Sequence, residues 1–333
     1  MATVTSEGMP LIIGHEWAVQ LIRHSLASGC LSQAYLLAGP PRIGKTSVAL
    51  YLARAVNCLD DDPKARPCGT CSACRKIGRG RHPDVRVIDG QEDGIKIDQI
   101  RELQSEIILS PFEARRRVYI LRDFQKATLG AANCLLKTLE EPPPSAVLVL
   151  TAIQAEMLLP TVVSRCQVLH LRPLPVSQVQ EALQTHWGVD PHQARLLARV
   201  SEGRIGWALN ASGDEALLQN RDKYLIALEQ VLQQNRTERM SLAQQLSRNA
   251  SALPDVFDLW QSWWRDVLLA KSGNEHALTN VDREQTVRIE AQSYTLEQIR
   301  ACLHAIRRAA QQVEQHVNPR MALEVLFLNM PRR

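Results

Sequence analysis

The sequence predicts an α/β domain over the first half of the chain and an all-helical remainder. Three observations carry that reading. Short Leu-rich or β-branched runs alternate with amphipathic helical patterns up to about residue 172. A glycine-bounded phosphate-binding pattern, GPPRIGKT, joins the first of those runs to a helix. After LRPLP (171–175) no strand pattern returns.

The elements follow in order. EWAVQLIRHSLASG (16–29) has helical spacing and ends at a glycine. AYLLAG (34–39) is a buried strand, and KTSVALYLARAVN (45–57) is the helix that leaves the loop. VRVID (85–89) and RVYIL (117–121) are further strands, separated by the helix IDQIRELQSEIIL (97–109), which starts near Asp98. ATLGAANCLLKTLEEPPP (127–144) is a helix stopped by prolines, and AVLVLTA (146–152) and QVLHL (167–171) complete five strands. Apolar runs separated by helices suit a parallel sheet covered on both faces. VSQVQEALQTHWG (176–188) and DPHQARLLARVSEG (190–203) open the helical part, so a boundary falls near residue 173. A second falls near Ala211-Ser212-Gly213. Further on, Trp260, Trp263 and Trp264 share one helix face; aromatics at this spacing pack a core or form a partner-binding face.

The 333 residues carry 39 Lys and Arg against 35 Asp and Glu, a net charge of +4, so net charge argues for no nucleic-acid role and any such contact would be local. No leader pattern opens the chain and no run of about eighteen apolar residues interrupts it, so a soluble, cytoplasmic protein without membrane contact is expected.

The loop spans Gly39, Pro40, Pro41, Arg42, Ile43, Gly44, Lys45, Thr46 and Ser47. Its backbone N–H groups would wrap phosphates, Lys45 would reach the β and γ oxygens, and Thr46 would ligate Mg²⁺, so ATP or ADP with Mg²⁺ is the implied ligand. Hydrolysis asks for two acids after a second strand, and after RVYIL stands Arg122-Asp123, a single carboxylate. Asp123 is then a degenerate metal-side acid. An arginine about 5 Å from a divalent ion would cost on the order of several kcal/mol even at an effective dielectric of 20. Alternatively, Arg122 turns aside to pair with a neighbour, which removes the repulsion without supplying the missing acid.

Eight cysteines divide into four scattered ones and a group, Cys58, Cys68, Cys71 and Cys74. Two overlapping CxxC steps and a fourth thiol make a complete tetrahedral set, which suits structural Zn²⁺. A redox CxxC is the alternative. The adjacent Arg75, Lys76, Arg79 and Arg81 form either a solvated face or a small nucleic-acid contact.

Ser164-Arg165-Cys166 means little alone. In company with IIGHEWAVQLIRHSL, QAYLLAGPPRIGKTSVALYLARAVNC, CGTCSAC, HPDVRVID, IKIDQIREL and NCLLKTLEEPP it resembles the bacterial clamp-loader subunits of the AAA+ class, most closely those of the delta prime type. The likeness covers roughly residues 11–172, and the helical remainder is consistent in length and type.

The resemblance implies three domains: a RecA-like AAA+ module over 1–172 with a zinc module at 58–74, a small helical lid over 173–212, and a helical collar for oligomerisation over 213–333. It implies a hetero-pentameric ring with motor (gamma/tau) and delta subunits, acting on a sliding clamp and primed DNA. It further implies that Arg165 is a finger reaching the ATP site of the next subunit; the local alternative is that Arg165 caps or pairs within its own chain. Two departures from motor subunits stand out. Arg122-Asp123 replaces their acid pair, and in Glu202-Gly203-Arg204-Ile205-Gly206-Trp207-Ala208-Leu209 glycine occupies the place of their lid arginine. Both fit a stator-like subunit with weak or no ATP hydrolysis of its own. Competing readings are an atypical motor subunit, a stand-alone P-loop kinase, and a zinc-stabilised scaffold with a vestigial loop. A kinase would need a second carboxylate or a base near its phosphates and has no use for NCLLKTLEEPP or Ser164-Arg165-Cys166.

Overall fold

The structure, a computed structural model, describes residues 11–90, 94–315 and 317–332. The first ten residues, where a leader pattern would lie, fall outside that range. The chain divides into two compact units, one of residues 1–178 with 203–207 and one of 179–202 with 208–333.

In the first unit the elements run α1 (Glu16–Ala27), β1 (Ala34–Ala38), α2 (Lys45–Asn57), α3 (Ser72–Gly78), β2 (Val85–Asp89), α4 (Ile97–Ile107), β3 (Arg117–Arg122), α5 (Leu129–Glu140), β4 (Ala146–Ala152), α6 (Pro160–Val163) and β5 (Gln167–His170). All five expected strands are present. They form one parallel sheet in the order β2-β3-β4-β1-β5. β1 and β4 are buried along their whole length, as uninterrupted apolar runs require. Alternate residues face opposite layers: Leu36, Leu148 and Leu121 pack with residues of α4 and α5, whereas Leu37, Val149 and Ile120 pack with residues of α1 and α2. This is the three-layer arrangement expected of a RecA-like AAA+ module. Because the strands are parallel, the ends of β1, β3 and β4 emerge on one edge, where α/β sheets bind ligands.

α7 (Val176–Trp187) and α9 (Ile205–Gly213) are each divided between the units. The second unit continues through α8 (Pro191–Val200), α10 (Glu215–Gln233), α11 (Arg236–Ser247), α12 (Leu253–Lys271), α13 (Glu284–Ser293), α14 (Leu296–Glu314) and α15 (Pro319–Asn329). Ala211-Ser212-Gly213 closes α9, and Asp214 then caps the next helix by accepting from the Ala216 N–H. Trp260, Trp263 and Trp264 on α12 are at most 1% exposed, so they are core. Trp260 Nε1 donates to the Tyr224 carbonyl at 2.9 Å and Trp263 Nε1 to Glu290 at 2.7 Å, which gives two of the buried indoles partners. No helix among the described residues is long and apolar enough to cross a membrane.

Candidate nucleotide and metal sites

β1 delivers the loop and α2 receives it. The Gly39 N–H donates to the Ala152 carbonyl at 3.1 Å, and a Cβ at Gly39 would stand 2.4 Å from the Leu171 carbonyl oxygen, so only glycine fits. Arg42 (φ 61°) and Gly44 (φ 111°) supply the left-handed steps that curl the chain back to Lys45. Residues 39–47 therefore form one turn ending in the first turn of α2, whose N–H groups and positive dipole end favour an anion. Lys45 Nζ donates to the Gly39 carbonyl at 2.6 Å and the Pro40 carbonyl at 3.0 Å. Burial brings Lys45 down to about 8, opposed by the charge of Asp123 and assisted by that of Arg122. At neutral pH it remains mostly a cation. The glycine-lined turn and the lysine fit a nucleotide phosphate chain.

Two contacts hold the loop from outside. The Gly206 N–H donates to the Arg42 carbonyl at 3.0 Å, and a Cβ there would stand 2.6 Å from that oxygen. His15, fully enclosed, lies 3.2 Å through Nε2 from the Ile43 carbonyl. A carbonyl only accepts, so Nε2 carries the proton; burial pushes the imidazole below its usual range despite the favourable carbonyl and the nearby Glu16.

Asp123 follows β3 with φ 50°, and its N–H donates to Thr151 Oγ1 at 3.0 Å. Its carboxylate is a charge neighbour of Lys45. Arg122 turns to the sheet edge: its Nε lies 3.2 Å from Asp89 Oδ1 on β2, its register partner. The pairing alternative therefore holds, and Asp123 stands as the sole acid in the Arg122-Asp123 pair.

Arg165, just past α6, sits a third exposed, with Nη2 at 2.5 Å from Glu140 Oε1 and Nη1 donating to the Thr161 carbonyl at 2.8 Å. Within its own chain it pairs locally with the end of α5.

Cys58 directly follows α2, Cys68 and Cys71 flank the left-handed Gly69, and Cys74 lies in α3. None of the four is in a disulfide, and all four Sγ atoms lie within 4.8 Å of one another. A tetrahedron with Zn–S bonds of 2.3 Å has sulfur–sulfur edges of about 3.8 Å, so the set needs little adjustment to close on an ion. The N–H of Cys68 points at Cys58 Sγ (3.3 Å), that of Cys71 at Cys68 Sγ (3.4 Å) and that of Cys74 at Cys71 Sγ (3.4 Å), so three backbone donors are aimed at the sulfur cluster. Burial pushes the Cys68 thiol up, but the Cys71 N–H, the Thr70 hydroxyl and N–H and the Cys58 thiol outweigh it and bring Cys68 to about 6. Burial pushes Cys74 and Cys58 up. Four sulfurs converging on one point suit a metal ion better than a redox pair. Beside them Arg75, Arg79 and Arg81 are exposed, while Lys76 pairs with Glu113 at 2.6 Å.

Sequence reasoning assigned no role to His15, Thr151, Glu140 or Arg54, the last a buried arginine of α2 beside the cysteines. Nothing local marks the first three, whose partners are distant in sequence. Arg54 alone leaves a trace, as the one cation in the apolar run VALYLARAV.

Residues 14–175 match the model of the family described as DNA polymerase III, delta subunit, and residues 215–331 match the model for the C-terminal part of the DNA polymerase III delta family. DNA polymerase III subunit delta' of Bacillus subtilis is 32% identical over 314 residues, covering 93% of this chain and 94% of its own. DNA polymerase III subunit tau of Escherichia coli is 34% identical over 214 residues, which are 61% of this chain and 33% of tau, so this chain spans about a third of that relative's length. Among solved structures, a DNA polymerase III gamma subunit-related protein of Thermotoga maritima aligns over 94% of this chain and 97% of its own, at 20% identity and a TM-score of 0.48.

Proposed function

Because this chain belongs to the delta' family of DNA polymerase III clamp-loader subunits, we propose that it serves as the stator-like member of a hetero-pentameric ring in the cytoplasm. Motor (gamma/tau) and delta subunits complete that ring, which loads a sliding clamp onto primed DNA. The observation that carries the stator role is the pairing of a single acid, Asp123, with a glycine, Gly206, whose backbone is bonded to the phosphate loop where a motor subunit would place its lid arginine. The loop holds ATP or ADP with Mg²⁺, and the chain hydrolyses it weakly or not at all.

Arg165 serves as a finger for one motor site of the ring. It leaves Glu140 on assembly and stabilises charge on the γ-phosphate held by the next subunit, a contribution of about 10³ to 10⁵ in comparable systems. The four cysteines hold one structural Zn²⁺, which closes the irregular segment between α2 and α3. The gap between the two family matches, residues 176–214, supports a division into module (1–172), lid (173–212) and collar (213–333).

Co-purification with motor and delta subunits, followed by clamp- and DNA-stimulated ATPase of the assembly, tests this reading. A ring whose turnover depends on Arg165 supports it; a chain that stays outside the ring, or hydrolyses rapidly alone, overturns it.

A further inference from the structure

α2 links the two sites. It begins at Lys45 in the phosphate loop and ends at Asn57, next to the first cysteine of the metal group. Three residues before that end stands Arg54, 1% exposed, with Nε and Nη1 buried and without a hydrogen-bond partner. An uncompensated buried guanidinium is costly, and native chains seldom keep one without cause. Its charge neighbour is the Cys74 sulfur on α3, which packs against α2. Of the other cations of this segment, Arg66 donates to the Asp60 and Asp61 carbonyls at 2.7 and 3.2 Å, the half-exposed Lys76 pairs with Glu113, and Lys64, Arg75, Arg79 and Arg81 are exposed to water, which leaves Arg54 as the buried cation without a hydrogen-bonded acceptor.

The cysteine group has the opposite problem. Four thiolates around a divalent ion carry a formal charge of −2, largely withdrawn from water, since Cys58 and Cys74 are fully buried. The structure thus holds a buried cation lacking an anion beside a cluster that becomes an anion when it takes up metal. We propose that Arg54 is the built-in counter-cation of the four-thiolate metal centre, a positioning residue that stabilises the metal-loaded state and ties the end of α2 to metal occupancy. Each half explains the other. Arg54 is tolerated in the core because the loaded cluster is negative, and the loaded cluster is tolerated because Arg54 is there.

The inference rests on the metal reading of the cysteines, and the experiment separates the two. Full-length chain is purified reduced, loaded with Zn²⁺ or Co²⁺, and titrated with a chromophoric chelator; its melting is then followed with and without metal. Arg54→Met, close in volume and uncharged, is expected to weaken Zn²⁺ retention about 10- to 100-fold, the usual effect of losing a partner of a metal ligand. Arg54→Lys, which keeps the charge but not the fork, is expected to recover part of that loss. Melting supplies the decisive sign: the loaded Arg54→Met chain melts below the loaded wild type, whereas the stripped variant melts no lower than the stripped wild type, having lost an unpaired buried charge. Equal lowering in both states, or unchanged Zn²⁺ competition, means Arg54 only packs and overturns the inference. If both stripped proteins unfold, the competition alone decides. Wild-type chain that retains neither ion overturns the metal reading, and the role of Arg54 with it.

Discussion

Arg165 Nη2 lies 2.5 Å from Glu140 Oε1, so the residue proposed to act on a neighbouring subunit is tethered in its own chain by an exposed carboxylate. Such pairs contribute about 0–1 kcal/mol, little enough to be exchanged for a phosphate. Arg165→Ala is expected to leave fold, metal and assembly intact and to lower ATPase at one motor site of the ring about tenfold or more. Glu140→Ala, by contrast, should leave ring turnover near wild type. ATPase and clamp-loading assays on reconstituted rings check both. Wild-type loading with Arg165→Ala would sink the finger assignment.

The isolated chain is expected to bind ATP or ADP yet turn over well below ~1 s⁻¹, the low end of common enzyme rates. Arg122→Asp with Asp123→Glu should not create a fast enzyme, since Gly206 still stands at the position where the resemblance places the arginine of motor subunits. Rings carrying Lys45→Ala should lose far less turnover than rings carrying Arg165→Ala. Rapid, Lys45-dependent hydrolysis by the chain alone would instead make it a motor.

About one Zn²⁺ per chain is expected after purification under reducing conditions, with Cys71→Ser losing both metal and thermal stability, because a closed thiolate site contributes its binding energy to the fold. Metal analysis and melting decide it. Less than about 0.2 Zn²⁺ per chain together with an unchanged melt for Cys71→Ser would refute the structural metal.

The five strands and the phosphate loop were legible because each is a contiguous run whose residue types follow from local burial or backbone need, as with β4 or Gly39. The cysteine group was legible because its spacing lies within seventeen residues. What escaped were pairings between residues distant in sequence. Arg122 with Asp89, Arg165 with Glu140 and Gly206 with Arg42 depend on which strand or helix end becomes a neighbour, and no local pattern encodes that. The tryptophans were ambiguous for a related reason, since a stripe on α12 reads the same whether it faces other helices of its unit or a partner.

His15 gives a pH dependence of definite sign. Burial holds its folded pKa below the usual 6.5, so the unfolded chain takes up a proton first as pH falls. The stabilisation is fully present above that value and is lost as pH drops through the folded pKa. His82, also lowered chiefly by burial, acts in the same direction. Melting between about pH 5 and 8 should therefore fall on the acid side for wild type, and less steeply for His15→Gln, which keeps a donor for the Ile43 carbonyl without titrating. Identical acid slopes for the two proteins would show that His15 is not the group responsible.

Gly206 offers the sharpest test of why this chain departs from motor subunits. A side chain there meets the Arg42 carbonyl oxygen at 2.6 Å, and that oxygen is backbone, in a loop already carrying φ 61° at Arg42. Neither partner can yield cheaply. Either the first turn of α9 lifts and the Gly206 N–H loses its acceptor, or the loop itself must shift. Gly206→Ala is expected to cost about 1–3 kcal/mol, as overpacking does, and to lower the melting temperature by several degrees. Gly206→Arg faces the same clash at Cβ before its guanidinium reaches anything, so supplying the missing lid arginine should not produce a motor. ADP affinity and melting of the two variants check this. Variants that melt like wild type would show that α9 is free to leave the loop, and Gly206→Arg together with an acid pair at 122 and 123 would then be expected to hydrolyse ATP.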